Sequence, residues 1–135
     1  MIQELYQLLH RQLVAVEALE ARLRALELVV VAQERRFVAM ALDEMETAAE
    51  TLSALELTRN LALVAAGLPP DLSARDLLAS ISDEHDRAML AGVVDRLRHA
   101  TVRLEESRER TRIVVGRSAM ELRARIDAAE RFAAV

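Results

Sequence analysis

The chain has no cysteine, no lysine and no tryptophan, and its 135 residues include only three glycines, two prolines and 2% aromatic side chains. Each shortage excludes something. Without cysteine there is no disulfide framework and no cysteine-ligated zinc, as a reducing compartment permits, so cytoplasm is the expected location. No stretch alternates apolar and polar residues between hairpin turns, so strands are not expected. The glycines at 67, 92 and 116 lie too far apart to form a phosphate-cradling loop, and no nucleophile elbow is visible. No basic segment followed by an apolar core and a small-residue cleavage site opens the sequence. The most apolar stretches are interrupted by Glu27, Gln33 or Arg59 before they could span a bilayer, so no stable membrane insertion is expected.

What remains is 53% hydrophobic and 30% charged, with the apolar share almost all Ala, Leu and Val. That is the composition of long helices or coiled coils. The length suits a single domain, residues 1–135, built on one core or one seam. A net charge of −4 gives no general electrostatic hold on nucleic acid.

Periodicity supplies the elements. Leu9, Val16, Leu23, Val30 and Phe37 recur every seventh residue, with Leu19, Leu26 and Met40 three places after three of them, as in an a/d seam. Beyond Phe37 the set moves by one, to Val38, Met45 and Leu52 with Ala41, Ala48, Leu55 and Ala62. Two causes fit this offset. Either a continuous helix drifts against a period of 3.5, or the chain bends near Gln33 to Arg36. The first segment is therefore one long helix or a broken helix pair over 2–66.

At Gly67 the chain reaches a residue suited to a helix C′ position, and Pro69 and Pro70 cannot continue the hydrogen-bond ladder. Ser73 followed by Asp76 resembles a capping box for a short helix covering Leu77 and Leu78, within a connecting segment 67–81. Ser82 reads as a second N-cap, with Asp83 and Glu84 in the first turn of a long helix over 83–133. In that helix Leu90, Leu97 and Leu104 interleave with Val93 and Ala100. After a polar belt the seam resumes one place on as Val115, Leu122 and Ala129 with Ala119, Ile126 and Ala133. Acid-first i,i+4 pairs are expected at Glu20 with Arg24, Asp83 with Arg87, Glu106 with Arg110, Glu121 with Arg125 and Asp127 with Arg131. The fold class is all-α: an elongated antiparallel helical bundle or coiled-coil hairpin of long helices, with a short connecting helix and a return helix packed antiparallel.

Catalytic constellations are missing. His10, His85 and His99 stand in no Glu-x-x-His or His-x-x-x-His pattern, so no metal site and no cofactor is expected. The acidic clusters at Asp43 to Glu46 and Ser82 to Asp86 read as capping and solvated faces. No enzyme is expected. Arg108 and Arg112 share a helix face close to Glu105 and Glu109 and have no aromatic platform, which favours a solvated rim over phosphate binding. Beside that rim, Ile113, Val114 and Val115 point in different directions around the helix, so one seam cannot bury all three. Met120 and Phe132 extend the apolar set, and methionine is an adaptable contact at promiscuous surfaces. A partner helix is one occupant for such a strip.

The order of elements resembles the FlgN family of flagellar type III export chaperones over nearly the whole chain. The resemblance runs through LYQLLHRQLVAVEAL, ERRFVAMALDEM, ALELTRNLALVAAGLPP, the short DLSARDLLASI and the final long helix. Family members often carry Asn-x-x-Asn-Gly in the last helix. Here Gly116 matches the glycine while Arg112 and Val115 stand where the asparagines would, so a role that needs amide side chains does not carry over. The resemblance implies a non-enzymatic chaperone. It would bind the C-terminal helical segments of hook-filament junction proteins, the hook-associated proteins, prevent their premature assembly and pass them to flagellar export gate components. The residues expected to meet the client are Leu104, Ile113, Val114, Val115, Met120, Leu122, Ile126 and Phe132, with Arg108 and Arg112 as polar rim. The alternative is a self-associating antiparallel coiled-coil scaffold that buries the same strip in a homodimer.

Overall fold

The structure, a computed structural model, describes residues 2–133, with side chains through Arg131. Four helices follow one another: α1, Ile2–Val31; α2, Arg35–Ala65; α3, Ala74–Ser80; and α4, Glu84–Ala133. There is no strand among the described residues. The molecule is an all-α bundle of long helices.

The first segment is a broken pair. Gln33 adopts φ 58°, and the amides of Gln33 and Glu34 donate to the carbonyls of Val30 and Val29 at 3.1 Å each. This is a Schellman arrangement, in which a left-handed residue after the helix turns the chain back and satisfies its last carbonyls. The one-residue seam offset at Phe37 marks this turn. The same device ends α2: Gly67 has φ 78°, its amide donates to Val64 at 3.0 Å, and the Leu68 amide donates to Leu63 at 2.9 Å. Leu68 then packs on the core that holds Leu63.

Ser73 caps α3 as expected, its Oγ accepting from the Asp76 amide at 3.0 Å. The N-cap of α4 is Asp83 rather than Ser82. Its Oδ1 accepts from the amides of His85 and Asp86 at 2.8 and 3.1 Å, so the charged side chain, one residue later, takes the orphan donors. Arg87 does not pair with Asp83; its guanidinium donates to the Ile81 carbonyl at the end of α3. Of the five acid-first pairs, Glu20 with Arg24 closes, at 2.8 Å. The arginines of the polar belt use nearer acceptors: Arg108 meets Glu105, Arg112 meets Glu109, and Arg110 donates to Ser107.

Helix α1 is the centre of the bundle. It packs against α2 on one side and α4 on the other, while every Cα of α2 stays more than 8 Å from every Cα of α4. The α1–α2 hairpin is antiparallel, as Arg22 to Glu44 at 3.0 Å and Arg59 to Gln12 at 3.1 Å fix. The long last helix was expected to return antiparallel to the first segment, and in direction it does so relative to α2. Helix α4 instead runs parallel to α1, with Glu20 beside Arg103 at 3.6 Å and the Leu23 carbonyl accepting from Thr111 at 3.4 Å. The physical reason is the break at Gln33. Two reversals bring the third long helix back to the direction of the first.

Leu9, Val16, Leu19 and Leu23 of α1, Leu52 and Leu63 of α2, Leu77 of α3 and Leu90, Val93, Leu97 and Leu104 of α4 form one buried cluster. Leu104, expected at a partner surface, is 3% exposed and belongs to this core. It offers no area to a partner unless the bundle opens.

Candidate functional site: an open groove and a projecting helix

Past Leu104 the inward positions of α4 become small and polar. Ser107 and Thr111 are buried, Val114 is half-buried, and from Val115 to Arg131 every side chain is exposed. The interior does not resume at Val115, Leu122 and Ala129 as the heptad spacing suggested. The inward line continues through Ser107, Thr111 and Val114, of which the first two carry no apolar signal and the third was expected at a partner surface. Helix α1 ends at Val31, so the last stretch of α4 has no neighbour and projects roughly 20 Å beyond the hairpin tip at 1.5 Å per residue.

Beside the inward line, on the side of α2, Val115, Ala119 and Leu122 face Val29, Val30 and Val38 across a recess of about 350 Å³. Gln33, Arg35, Glu121 and Arg125 stand among its polar margins. The recess is mostly hydrocarbon with charged edges, which suits an apolar side chain of a partner and not a metal or a reacting group. Among the described residues there is no group of three or more His, Asp or Glu placed to hold a metal ion. Two of the three histidines are otherwise engaged: His10 stacks on Tyr6 at 6.2 Å, and His99 lies 3.6 Å from Asp95.

Of the residues expected to meet a partner, Val115 and Leu122 line the recess. Ile113, Met120 and Ile126 are exposed on α4, Met120 most of all at 74%, while Val114 is half-buried in the inward line. Arg108 and Arg112 lie in solvent, each held to a glutamate three residues earlier at 3.1 and 2.7 Å. The hydrogen bond and then the charge of Arg112 hold the Glu109 carboxyl below its ordinary range. The side chain of Phe132 lies outside the described residues. Val29, Val30 and Val38 were not named as partner residues because the heptad spacing placed Val30 and Val38 in the seam; all three are half-buried at the hairpin tip. The hairpin turn was the signal that would have moved them to a tip.

A second exposed stripe runs along α2. Leu57, Leu61 and Val64 follow the i, i+4, i+7 spacing of one face, opposite the buried Leu52 and Leu63, and Leu61 is 63% exposed. Comparison of the chain with protein-family models, curated proteins and solved structures returns no match. No helix among the described residues is long and apolar enough to cross a membrane.

Farther from the hairpin tip a wider cleft of about 710 Å³ opens between α3 and α4, with Gln12 of α1 and Arg59 of α2 completing its lining. Arg59 crosses its wall. One guanidinium nitrogen donates to the Gln12 side chain and another to the Leu72 carbonyl, while its Nε is buried with no partner. Burial pushes the Arg59 pKa below its ordinary value, an effect that Glu56 one turn earlier opposes.

Proposed function

We propose that this protein is a non-enzymatic, cytoplasmic escort for helical segments, a flagellar type III export chaperone of the FlgN type. It would hold the C-terminal helices of hook-filament junction proteins, keep them from assembling early and deliver them to the export gate. One observation carries the reading: the bundle leaves α2 and α4 apart and lets α4 run on past its support, with Val115, Met120, Leu122 and Ile126 in solvent. A helix that cannot bury its apolar side chains on its own chain is suited to burying those of an amphipathic client, and a half-built bundle supplies the place.

The test is capture of purified junction proteins by the full chain and by a Met120→Glu/Leu122→Glu double variant. Both side chains lie outside the core, so the circular dichroism spectrum and melting temperature should stay within about 0.5 kcal/mol of wild type in stability. Client capture should fall at least tenfold. Unimpaired capture by a folded double variant would place the client elsewhere and end this assignment of the site.

The stripe Leu57, Leu61 and Val64 favours a second reading, a self-associating scaffold in which α2 meets α2 of another copy. Sedimentation at micromolar concentration separates the two. A chaperone can be monomeric alone, whereas a scaffold sediments as a dimer whose Leu61→Glu variant becomes monomeric.

A further inference from the structure

The groove between α2 and α4 has two unlike ends. One is the apolar recess at the hairpin tip, lined by Val30, Val38, Val115 and Leu122. The other is the wide cleft beside α3, where Arg59, Arg75 and Arg98 face Asp95 as the only acid among the lining residues. Asp95 has His99 3.6 Å away. None of these three arginines is in an ion pair among the described residues, although the chain as a whole is acidic with a net charge of −4. Glu56 lies in the middle of the groove and opposes the loss of charge on Arg59 without bonding to it. Arg59 is already hydrogen-bonded to Gln12 and Leu72, but Arg75 and Arg98 are exposed, and each can offer a carboxylate two donors in a planar fork.

Resting on the escort reading above, we infer that the arginine cleft recognises acidic side chains at one end of the bound helix, so the occupant lies along the α2–α4 groove in one orientation. Its carboxylates meet Arg75 and Arg98, with the charge of Arg59 in the wall behind them, and its apolar residues fill the recess at the hairpin tip. Arg98 and Ser118 are about 20 residues of helix apart, roughly 30 Å, so one helical segment of that length reaches both ends. The apolar recess alone would accept a helix in either direction. The charged end removes that ambiguity, since reversing the helix would leave carboxylates against valines and arginines unmatched.

The experiment is a display selection on the full chain, with a library of amphipathic helices of about 20 residues whose polar positions are randomised. The expected winners carry Asp or Glu clustered at one end. A winning peptide should bind an Arg75→Gln/Arg98→Gln variant about tenfold more weakly than wild type. Its all-Gln counterpart should bind the two proteins equally, and the difference should shrink at about 0.5 M salt, where exposed charges are screened. Arg75 and Arg98 are exposed, so the double variant keeps the core, and Arg59 is left untouched. Winners without clustered acids, or acidic winners that bind both proteins alike, overturn this orientation while leaving the escort reading standing. A library that yields no binder overturns both.

Discussion

Gln33 holds a backbone conformation that penalises its own side chain. With φ 58° it sits in the left-handed region, where a Cβ crowds the following carbonyl, and it does so because the hairpin needs that turn in the place where Gly67 makes the equivalent one with no side chain. Gln33→Gly should therefore raise the unfolding free energy by about 0.5 to 1 kcal/mol, after allowing for the greater freedom of glycine in the unfolded chain. For a chain of this size that is a rise of about 2 to 4 °C in Tm, readable in a thermal melt by circular dichroism. Gln33→Val should lower Tm, because a β-branched side chain is the least tolerant of positive φ. If both variants melt as wild type does, the turn is not a determinant of stability. The two turns also show what can be read from residue types. The α2 terminus was legible because glycine and two prolines advertise it, whereas the α1 terminus stayed open between helical drift and a bend near Gln33 to Arg36, since glutamine carries no turn signal and the heptad spacing passes from Val30 to Phe37 without a gap.

At the scale of the element, α4 is one 50-residue helix with two environments. From Leu90 to Leu104 its inward face is sealed against α1, and Ser107 and Thr111 extend the contact with small polar groups; beyond Val115 backbone hydrogen bonds have only the helix itself to protect them. An isolated helical end of this length is marginal in water. Native-state hydrogen exchange should therefore show amides of 90–104 exchanging near the global unfolding limit and those of 120–131 exchanging faster by at least a hundredfold, about 3 kcal/mol of local opening. Uniform protection to the end would mean that something covers the projection in solution, and a second copy would be the first candidate. The helical character of this stretch was plain from its spacing, but its exposure was not. Apolar residues at seven-residue intervals state that a face exists, and only the length of the neighbouring helix decides whether the face is covered.

On the scale of the whole molecule, three long helices share one interior, yet only α1 brings its backbone within 8 Å, Cα to Cα, of both of the others. A sequence records which residues turn inward and says little about which helix meets which, so the parallel placement of α4 on α1 could not be read from it. That placement keeps α2 and α4 apart, because both are occupied with α1. The design implies that folding and partner binding draw on separable parts of the chain. Removing residues 119–135 takes away Ala119 and Leu122 of the apolar recess and the whole projection, but no residue of the buried cluster. The truncated protein should therefore keep its helical spectrum per residue and melt within about 3 °C of the full chain, a shift of roughly 1 kcal/mol. Its capture of junction proteins should fall to background. A truncation that unfolds would make the projection part of the fold, and one that binds as well as the full chain would move the site to the groove alone. The arginine cleft stays intact in this variant, so any residual binding that disappears at high salt and with Arg75→Gln/Arg98→Gln would come from the charged end of the groove, which alone cannot hold a helix in register.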